Sequence, residues 1–228
     1  MSGKKTIEAK KRYDDQNAYA PDEAIDLVKS LASAKFDETV EAVFRLSIDP
    51  KKADQLVRGT VALPNGTGKS IRVCVIAGAD KAKAAEEAGA DVVGGEELVD
   101  ELAGGRALDF DLMIASPDMM AKVGTLGRVL GPRGLMPNPK AGTVTADVAK
   151  AVGEFKGGRI EYRNDRNGNI HASVGKVSFS VEQLSENLRA LANEINRVRP
   201  SSAKGTYIRN LVVSSTMGPG IKVDAGAF

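Results

Sequence analysis

The chain has 228 residues, 42% of them hydrophobic and 27% charged, a balance that supports an ordinary folded core and excludes whole-chain disorder. Its 32 Lys and Arg against 30 Asp and Glu leave a net charge of +2, so bulk charge does not mark a nucleic-acid binder. The 4% aromatic content without Trp speaks against a carbohydrate-binding or aromatic-cage module, and a single cysteine excludes any disulfide within the chain.

That cysteine, Cys74, sits in the apolar run Ile71–Ile76 and reads as a small buried hydrophobe in a protein of a reducing compartment. Met1-Ser2-Gly3-Lys4-Lys5 lacks the apolar stretch of a signal peptide, and no run is apolar over the roughly 18 residues that a membrane helix needs. A soluble cytoplasmic protein is the expectation.

Residues 1–20 carry Lys4, Lys5, Lys10, Lys11 and Arg12 and read as a frayed or helical arm. Pro21 opens a helix whose first turn holds Asp22 and Glu23, where the dipole favours negative charge, and whose apolar stripe is Ile25, Val28 and Leu31 with Leu27 beside it. From Thr39 to Ile48 the period changes to two. Val40, Ala42, Phe44, Leu46 and Ile48 alternate with Glu41, Val43, Arg45 and Ser47, as in a half-buried strand. Gly59 to Leu63 is a second strand, stopped by Pro64-Asn65-Gly66.

After Gly66 the character shifts. Ile71–Ile76 reads as a strand buried on both faces, followed by a helix from Asp80 to Ala88 that Gly89 ends. A short strand at Val92-Val93, a helix from Glu96 to Leu102, a strand from Phe110 to Ala115 and a helix from Pro117 continue the alternation of a small parallel α/β unit. Gly131–Lys140 is too rich in Pro and Gly for regular structure and is either a long ordered loop or a flexible one. A helix from Thr145 to Phe155 leads to Gly157-Gly158. Arg159–Arg163 and Ile170–Val174 then read as a hairpin about the Asn167-Gly168 turn, Val181–Val198 as the longest helix and Tyr207–Ser215 as a last strand before Met217-Gly218-Pro219-Gly220.

Two alternating blocks thus flank an α/β block. The economical arrangement is a terminal domain of residues 1–66 and 158–228 with a second domain, 67–157, inserted through a double hinge; the alternative is one continuous domain. Charge differs between blocks: residues 1–65 hold 11 basic and 11 acidic side chains, 66–157 hold 11 and 13, and 158–228 hold 10 and 6. A phosphate-facing surface therefore belongs to the chain ends and not the middle, although +4 over the last block is also compatible with an ordinary solvated surface.

Motifs for enzyme chemistry are weak. Gly66-Thr67-Gly68-Lys69-Ser70 ends like a phosphate-binding P-loop, but the motif's first glycine would fall at Leu63, and a strand follows where a helix should start. His171 is the sole histidine, which removes any two-His metal site, and no serine has a nucleophile-elbow context. Neither a catalytic residue, a metal site nor a cofactor is expected. The loop containing Arg128, Arg133 and Lys140 suits either phosphate contact or a structural lid. Three polar clusters stand at the edges of apolar elements: Lys35-Phe36-Asp37-Glu38-Thr39, Gly175-Lys176-Val177-Ser178-Phe179 and Thr216-Met217-Gly218. Lysine suits phosphate, hydroxyls suit a 2′-OH, glycine permits close approach, and Phe or Met can pack on a sugar or base.

At these clusters the sequence resembles the ribosomal protein L1 family, bacterial type, over nearly its whole length. The resemblance is carried by Lys35–Thr39, Gly89-Ala90-Asp91 with Gly94-Gly95, the fourteen residues Gly127–Lys140, Gly175-Lys176 with Phe179, and Thr216-Met217-Gly218-Pro219. It implies an α/β fold of two domains, a discontinuous α+β domain I and an inserted Rossmann-like α/β domain II, and a protein that is not an enzyme. It also implies binding by domain I to large-subunit 23S rRNA at the mobile L1 stalk, help in releasing deacylated tRNA from the E site, and repression of its own operon mRNA. The free protein would be a monomer. Matching the family's RNA-contact motifs points to Lys35, Phe36, Thr39, His171, Lys176, Ser178, Thr216, Met217 and Gly218.

Overall fold

A computed structural model describes residues 4–228; the first three residues of the expected N-terminal arm lie outside the described residues. The chain is mixed α/β and divides into two compact units, Met1–Gly68 with Ile160–Phe228, and Lys69–Arg159. In chain order the elements are α1 (Lys4–Lys10), α2 (Pro21–Leu31), β1 (Thr39–Leu46) and β2 (Arg58–Ala62), then β3 (Val73–Ile76), α3 (Ala79–Glu87), β4 (Val92–Gly94), α4 (Glu96–Ala103), β5 (Leu112–Ala115), α5 (Met120–Val123), α6 (Gly127–Leu130) and α7 (Val148–Lys156). The last are β6 (Arg159–Arg163), β7 (Asn169–Lys176), α8 (Val181–Arg197), β8 (Ile208–Ser215) and β9 (Ile221–Val223). Among the described residues no helix is long and apolar enough to cross a membrane.

The first unit is built on a four-stranded antiparallel sheet in the order β7-β1-β8-β9. β1 shows the alternation expected of it: Val40, Ala42, Phe44 and Leu46 are buried. Helices α2 and α8 pack on each other and on this sheet. α2 starts on Pro21 with Asp22 and Glu23 in its first turn, and buries Ala24, Ile25, Val28 and Leu31. α8 starts with a capping box, in which the Gln183 backbone N–H donates to Ser180 Oγ at 3.2 Å and the Ser180 N–H donates to Gln183 Oε1 at 3.0 Å. It buries Leu184, Leu188, Leu191 and Ile195 against the sheet.

One local expectation fails. The segments around Asn167-Gly168 do turn, with Gly168 at φ +80° and Asp165 Oδ1 accepting from the Asn167 and Asn169 N–H groups at 2.7 and 2.8 Å. No hairpin ladder follows, because β6 pairs with β2 in a separate two-stranded sheet while β7 joins β1. Beyond the turn, where the Asp165 N–H donates to the Asn169 carbonyl at 2.7 Å, the one isolated β-bridge between the two arms among the described residues is Asn164 to Ile170. The cause is packing: Tyr162 is buried against Gly59, where a Cβ would lie 2.6 Å from the phenol oxygen, so β6 is drawn to β2. Asn164 fixes the switch, accepting from the Val57 N–H at 2.9 Å.

The second unit has a three-stranded parallel sheet ordered β4-β3-β5. β3 is buried on both faces: Cys74 and Ile76 face a cluster with Leu98, Leu102 and Leu130, while Val73 and Val75 face one with Val148, Val152 and Phe155. The expected helix from Pro117 is broken into short turns, with glycines at 124 and 127, and the helix expected from Thr145 begins at Val148, where Asp147 caps it. The Gly131–Lys140 segment is an ordered loop. Leu135 donates to the Leu130 carbonyl at 3.1 Å, Leu135 and Met136 pack on the core, and the Asn138 N–H donates to Thr143 Oγ1 at 2.7 Å.

Truncating Phe44, fully buried at the centre of the first unit's sheet, to Ala should destabilise that unit by about 3–5 kcal/mol. Val43→Ala, on the half-buried face of the same strand, should cost clearly less; urea titration of the two variants checks the order.

Candidate nucleic-acid interface

The start of β1 fixes the geometry of the site. Thr39 pairs with Lys176 at the end of β7, and Val40 pairs with Ser215 at the end of β8. The segments 33–39, 176–179 and 215–218 therefore meet at one end of the sheet, although they lie far apart in sequence. The Thr216 hydroxyl oxygen accepts from the Thr39 N–H at 3.0 Å and its hydroxyl donates to the Thr39 carbonyl at 3.3 Å. On the other side Lys176 Nζ donates to Thr39 Oγ1 at 2.9 Å and to the Asp37 carbonyl at 3.4 Å. Ser178 donates to both oxygens of the Asp37 carboxylate, from its N–H at 3.1 Å and its hydroxyl at 2.8 Å.

Between these pairs lies a buried carboxylate. Glu38 is 1% exposed. Its Oε1 accepts from the Ser33 and Ala34 N–H groups at 3.0 and 2.8 Å, and its Oε2 from the Met217 N–H at 2.9 Å. Burial alone would raise the pKa of this carboxyl. The Met217, Ala34 and Ser33 N–H groups outweigh burial and hold it below the ordinary glutamate value of 4.5. Gly218 is equally constrained: its N–H donates to the Ser215 carbonyl at 3.1 Å, and a Cβ there would lie 2.4 Å from Ser215 Oγ.

What these bonds present outward is mixed. Phe36 and Met217 are 58% and 66% exposed, the two most exposed large apolar side chains among the described residues. Lys35 is also exposed, and among the described residues neither Lys35 nor Lys176 is in a salt bridge. Two amines, two apolar side chains and a glycine turn on a preformed frame suit a ligand with phosphates, ribose hydroxyls and flat bases.

Eight of the nine candidate residues, Lys35, Phe36, Thr39, Lys176, Ser178, Thr216, Met217 and Gly218, are brought together. His171 is not. It pairs with Val43, four positions inward along β1, which is about 13 Å from Thr39 at strand spacing. There its side chain, 60% exposed, lies 3.6 Å from Asp165. Sequence reasoning placed Asp37 and Glu38 within a polar cluster without assigning them a role, and gave none to Ser215. A usable signal existed for Glu38: continuing the inward parity of Val40, Ala42 and Phe44 back by two residues places position 38 inside.

Other motifs have structural explanations. Gly68, in the segment that mimics a P-loop, has φ +67°, and a Cβ there would lie 2.8 Å from Lys176 Cγ and 2.9 Å from the Phe179 ring. Asp91 accepts from the Val73 N–H at 2.8 Å and pairs with Lys156 at 3.1 Å, and a Cβ on Gly94 would lie 2.5 Å from Leu98 Cβ. Among the described residues no three His, Cys, Asp or Glu side chains converge as a metal site requires, and burial pushes the Cys74 thiol up to about 12.

The chain matches the model of the Ribosomal protein L1p/L10e family over residues 28–219. It is 62% identical over 216 residues to the large ribosomal subunit protein uL1 of a Nocardioides species, covering 95% of this chain and 90% of that one. The protein of the same name from Cutibacterium acnes is 63% identical over 206 residues, 90% of this chain and 88% of the relative. That of Bifidobacterium animalis subsp. lactis is 58% identical over 225 residues, 99% of this chain and 98% of the relative.

Because the folded pKa of Glu38 lies below its unfolded value, its ionisation stabilises the fold above about pH 4.5, and that contribution is lost as pH falls through the folded value. Thermal melts of Glu38→Gln beside the unsubstituted protein should show a gap near pH 7 that narrows as pH falls below 4.5. A gap constant over that range would contradict the assignment.

Proposed function

The chain belongs to the ribosomal protein L1 family, and on that premise we propose that the β1–β7–β8 end of its sheet binds 23S rRNA at the mobile stalk of the large ribosomal subunit. As a member of the family it is a structural constituent of the large subunit, located on the cytoplasmic ribosome, and not an enzyme. The convergence of eight candidate residues from three distant segments at one sheet end carries the reading.

In this reading Phe36 and Met217 pack on exposed sugars or bases, the Thr216–Gly218 backbone approaches the RNA closely, and Lys35 and Lys176 meet phosphates. His171 touches an RNA strand that continues along the β7 edge. Shape complementarity dominates because a net charge of +2 provides little bulk attraction. The reading extends to assistance in releasing deacylated tRNA from the E site and to repression of the protein's own operon mRNA, which would present the same surface with a stalk-like structure.

Filter binding to a short transcript of the stalk region should be tight, and a Thr216→Val, Met217→Ala double variant should lose roughly 1–3 kcal/mol or more of it. Equal binding by the variant would move the site elsewhere.

The salt dependence of binding should be shallow, at a log–log slope of about −1 to −3, since few phosphates are neutralised. A fragment joining residues 1–66 to 158–228 should retain most of the affinity, because residues 66–157 are net acidic, with 11 basic against 13 acidic side chains. A steep slope or a large loss in the fragment would contradict this account.

A further inference from the structure

Glu38 touches solvent hardly at all, yet it stands at the centre of the candidate interface. Its two carboxylate oxygens join segments about 180 positions apart in sequence, Ser33-Ala34 on one oxygen and Met217 on the other. The residues between and beside those anchor points, Phe36 and Met217, are the exposed apolar pair. A buried carboxylate with backbone N–H donors on both oxygens has a single low-energy position, because any shift leaves a charge or an amide unpaired away from bulk solvent. The Thr216 hydroxyl, bonded to both backbone groups of Thr39, adds a second tie from the same turn to the same strand end.

We propose that Glu38 is a positioning residue for RNA binding: its carboxylate fastens the 33–36 loop to the 216–218 turn in the free protein, and so sets the spacing of Phe36 and Met217 before the RNA arrives. The proposal rests on the RNA-binding reading above. Its content is preorganisation. Without the carboxylate the two segments sample other arrangements, and the apparent affinity falls by the fraction of molecules that remain competent. Gln at this position keeps size and polarity but provides one acceptor oxygen where two are needed, and its amide opposes an N–H donor. The role differs from that of a phosphate ligand, since Glu38 is an anion and releases no RNA counterion.

Two measurements on the full-length chain test this. In the free, unsubstituted protein, amide exchange followed by NMR should show the Ser33, Ala34 and Met217 N–H groups protected. Exchange at the rate of exposed loop amides, slowed only when RNA is added, would overturn the proposal, and this measurement needs no variant to fold. In the second, Glu38→Gln is compared with Lys176→Ala for binding to the stalk transcript, well below the melting temperature of each. Glu38→Gln should raise Kd about tenfold, as expected if about a tenth of the folded molecules stay competent, with the salt slope unchanged. Lys176→Ala should weaken binding and flatten the slope by about one phosphate's contribution. Wild-type-like affinity for a folded Glu38→Gln overturns the positioning role alone, whereas failure of the unsubstituted protein to bind the transcript overturns the RNA reading itself and the positioning role with it.

Discussion

Strand β1 sits between two strands that the chain supplies only after more than a hundred further residues, and its register against them governs the first unit. Thr39 opposes Lys176, Val40 opposes Ser215, and Ala42 and Phe44 face the helices. Slipping either pairing by one residue would turn Glu41, Val43 and Arg45 toward the core and displace Val40 and Phe44. The apolar alternation thus excludes every neighbouring register. Irregularities are tolerated at the ends, where the β1–β7 ladder shifts between Val40 and Glu41 and the β1–β8 ladder between Arg45 and Leu46. The candidate surface is a by-product of this constraint, because wherever the core settles, the ends of the same three strands must meet.

At that meeting point most polar groups are matched, the buried Ser215 hydroxyl excepted. Glu38 has N–H donors on both oxygens, Asp37 is held by Ser178, and Thr39 is flanked by the Thr216 hydroxyl and the Lys176 amine. Such networks in a low-dielectric setting hold their geometry firmly, since each broken bond leaves an uncompensated group. They show how a nearly neutral protein can keep lysine amines at the edge of a frame that contains carboxylates. Carboxylates inside the frame use their charge on backbone amides, and the amines stay on the rim. The second unit uses the same device for fold alone, where Asp91 ties the Val73 amide and Lys156 together beside a sheet buried on both sides.

Elements with a strong intrinsic period were legible in the sequence. The stripe of α2, the alternation of β1, the apolar run of β3 and the long face of α8 all fold as their patterns dictate. What the sequence hid was pairing. Asn167-Gly168 correctly announced a turn, but turn chemistry is local, and whether the arms pair depends on Tyr162 finding Gly59 about a hundred residues earlier. The short turns between Pro117 and Leu130 were hidden for the opposite reason, because apolar residues at helical spacing continue across glycines that interrupt the helix. Of the site, the exposed members were readable as motif residues. Glu38 was not singled out, since a glutamate normally reads as surface and only the parity of its strand contradicts that.

The sheet order also bears on how the protein is made. On a translating ribosome β1 is complete by Leu46, but β7 ends at Lys176 and β8 at Ser215, so its partners emerge roughly 130 to 170 residues later. At synthesis rates of about 5–20 residues per second that is an interval on the order of 10 seconds or more. Throughout it Val40, Ala42, Phe44 and Leu46 have no sheet to join, while Lys69–Arg159, continuous in sequence, can close on its own core. The unit that begins the polypeptide is therefore the last to finish, and its first strand spends the interval as an unpaired apolar edge that the cell must shield from aggregation.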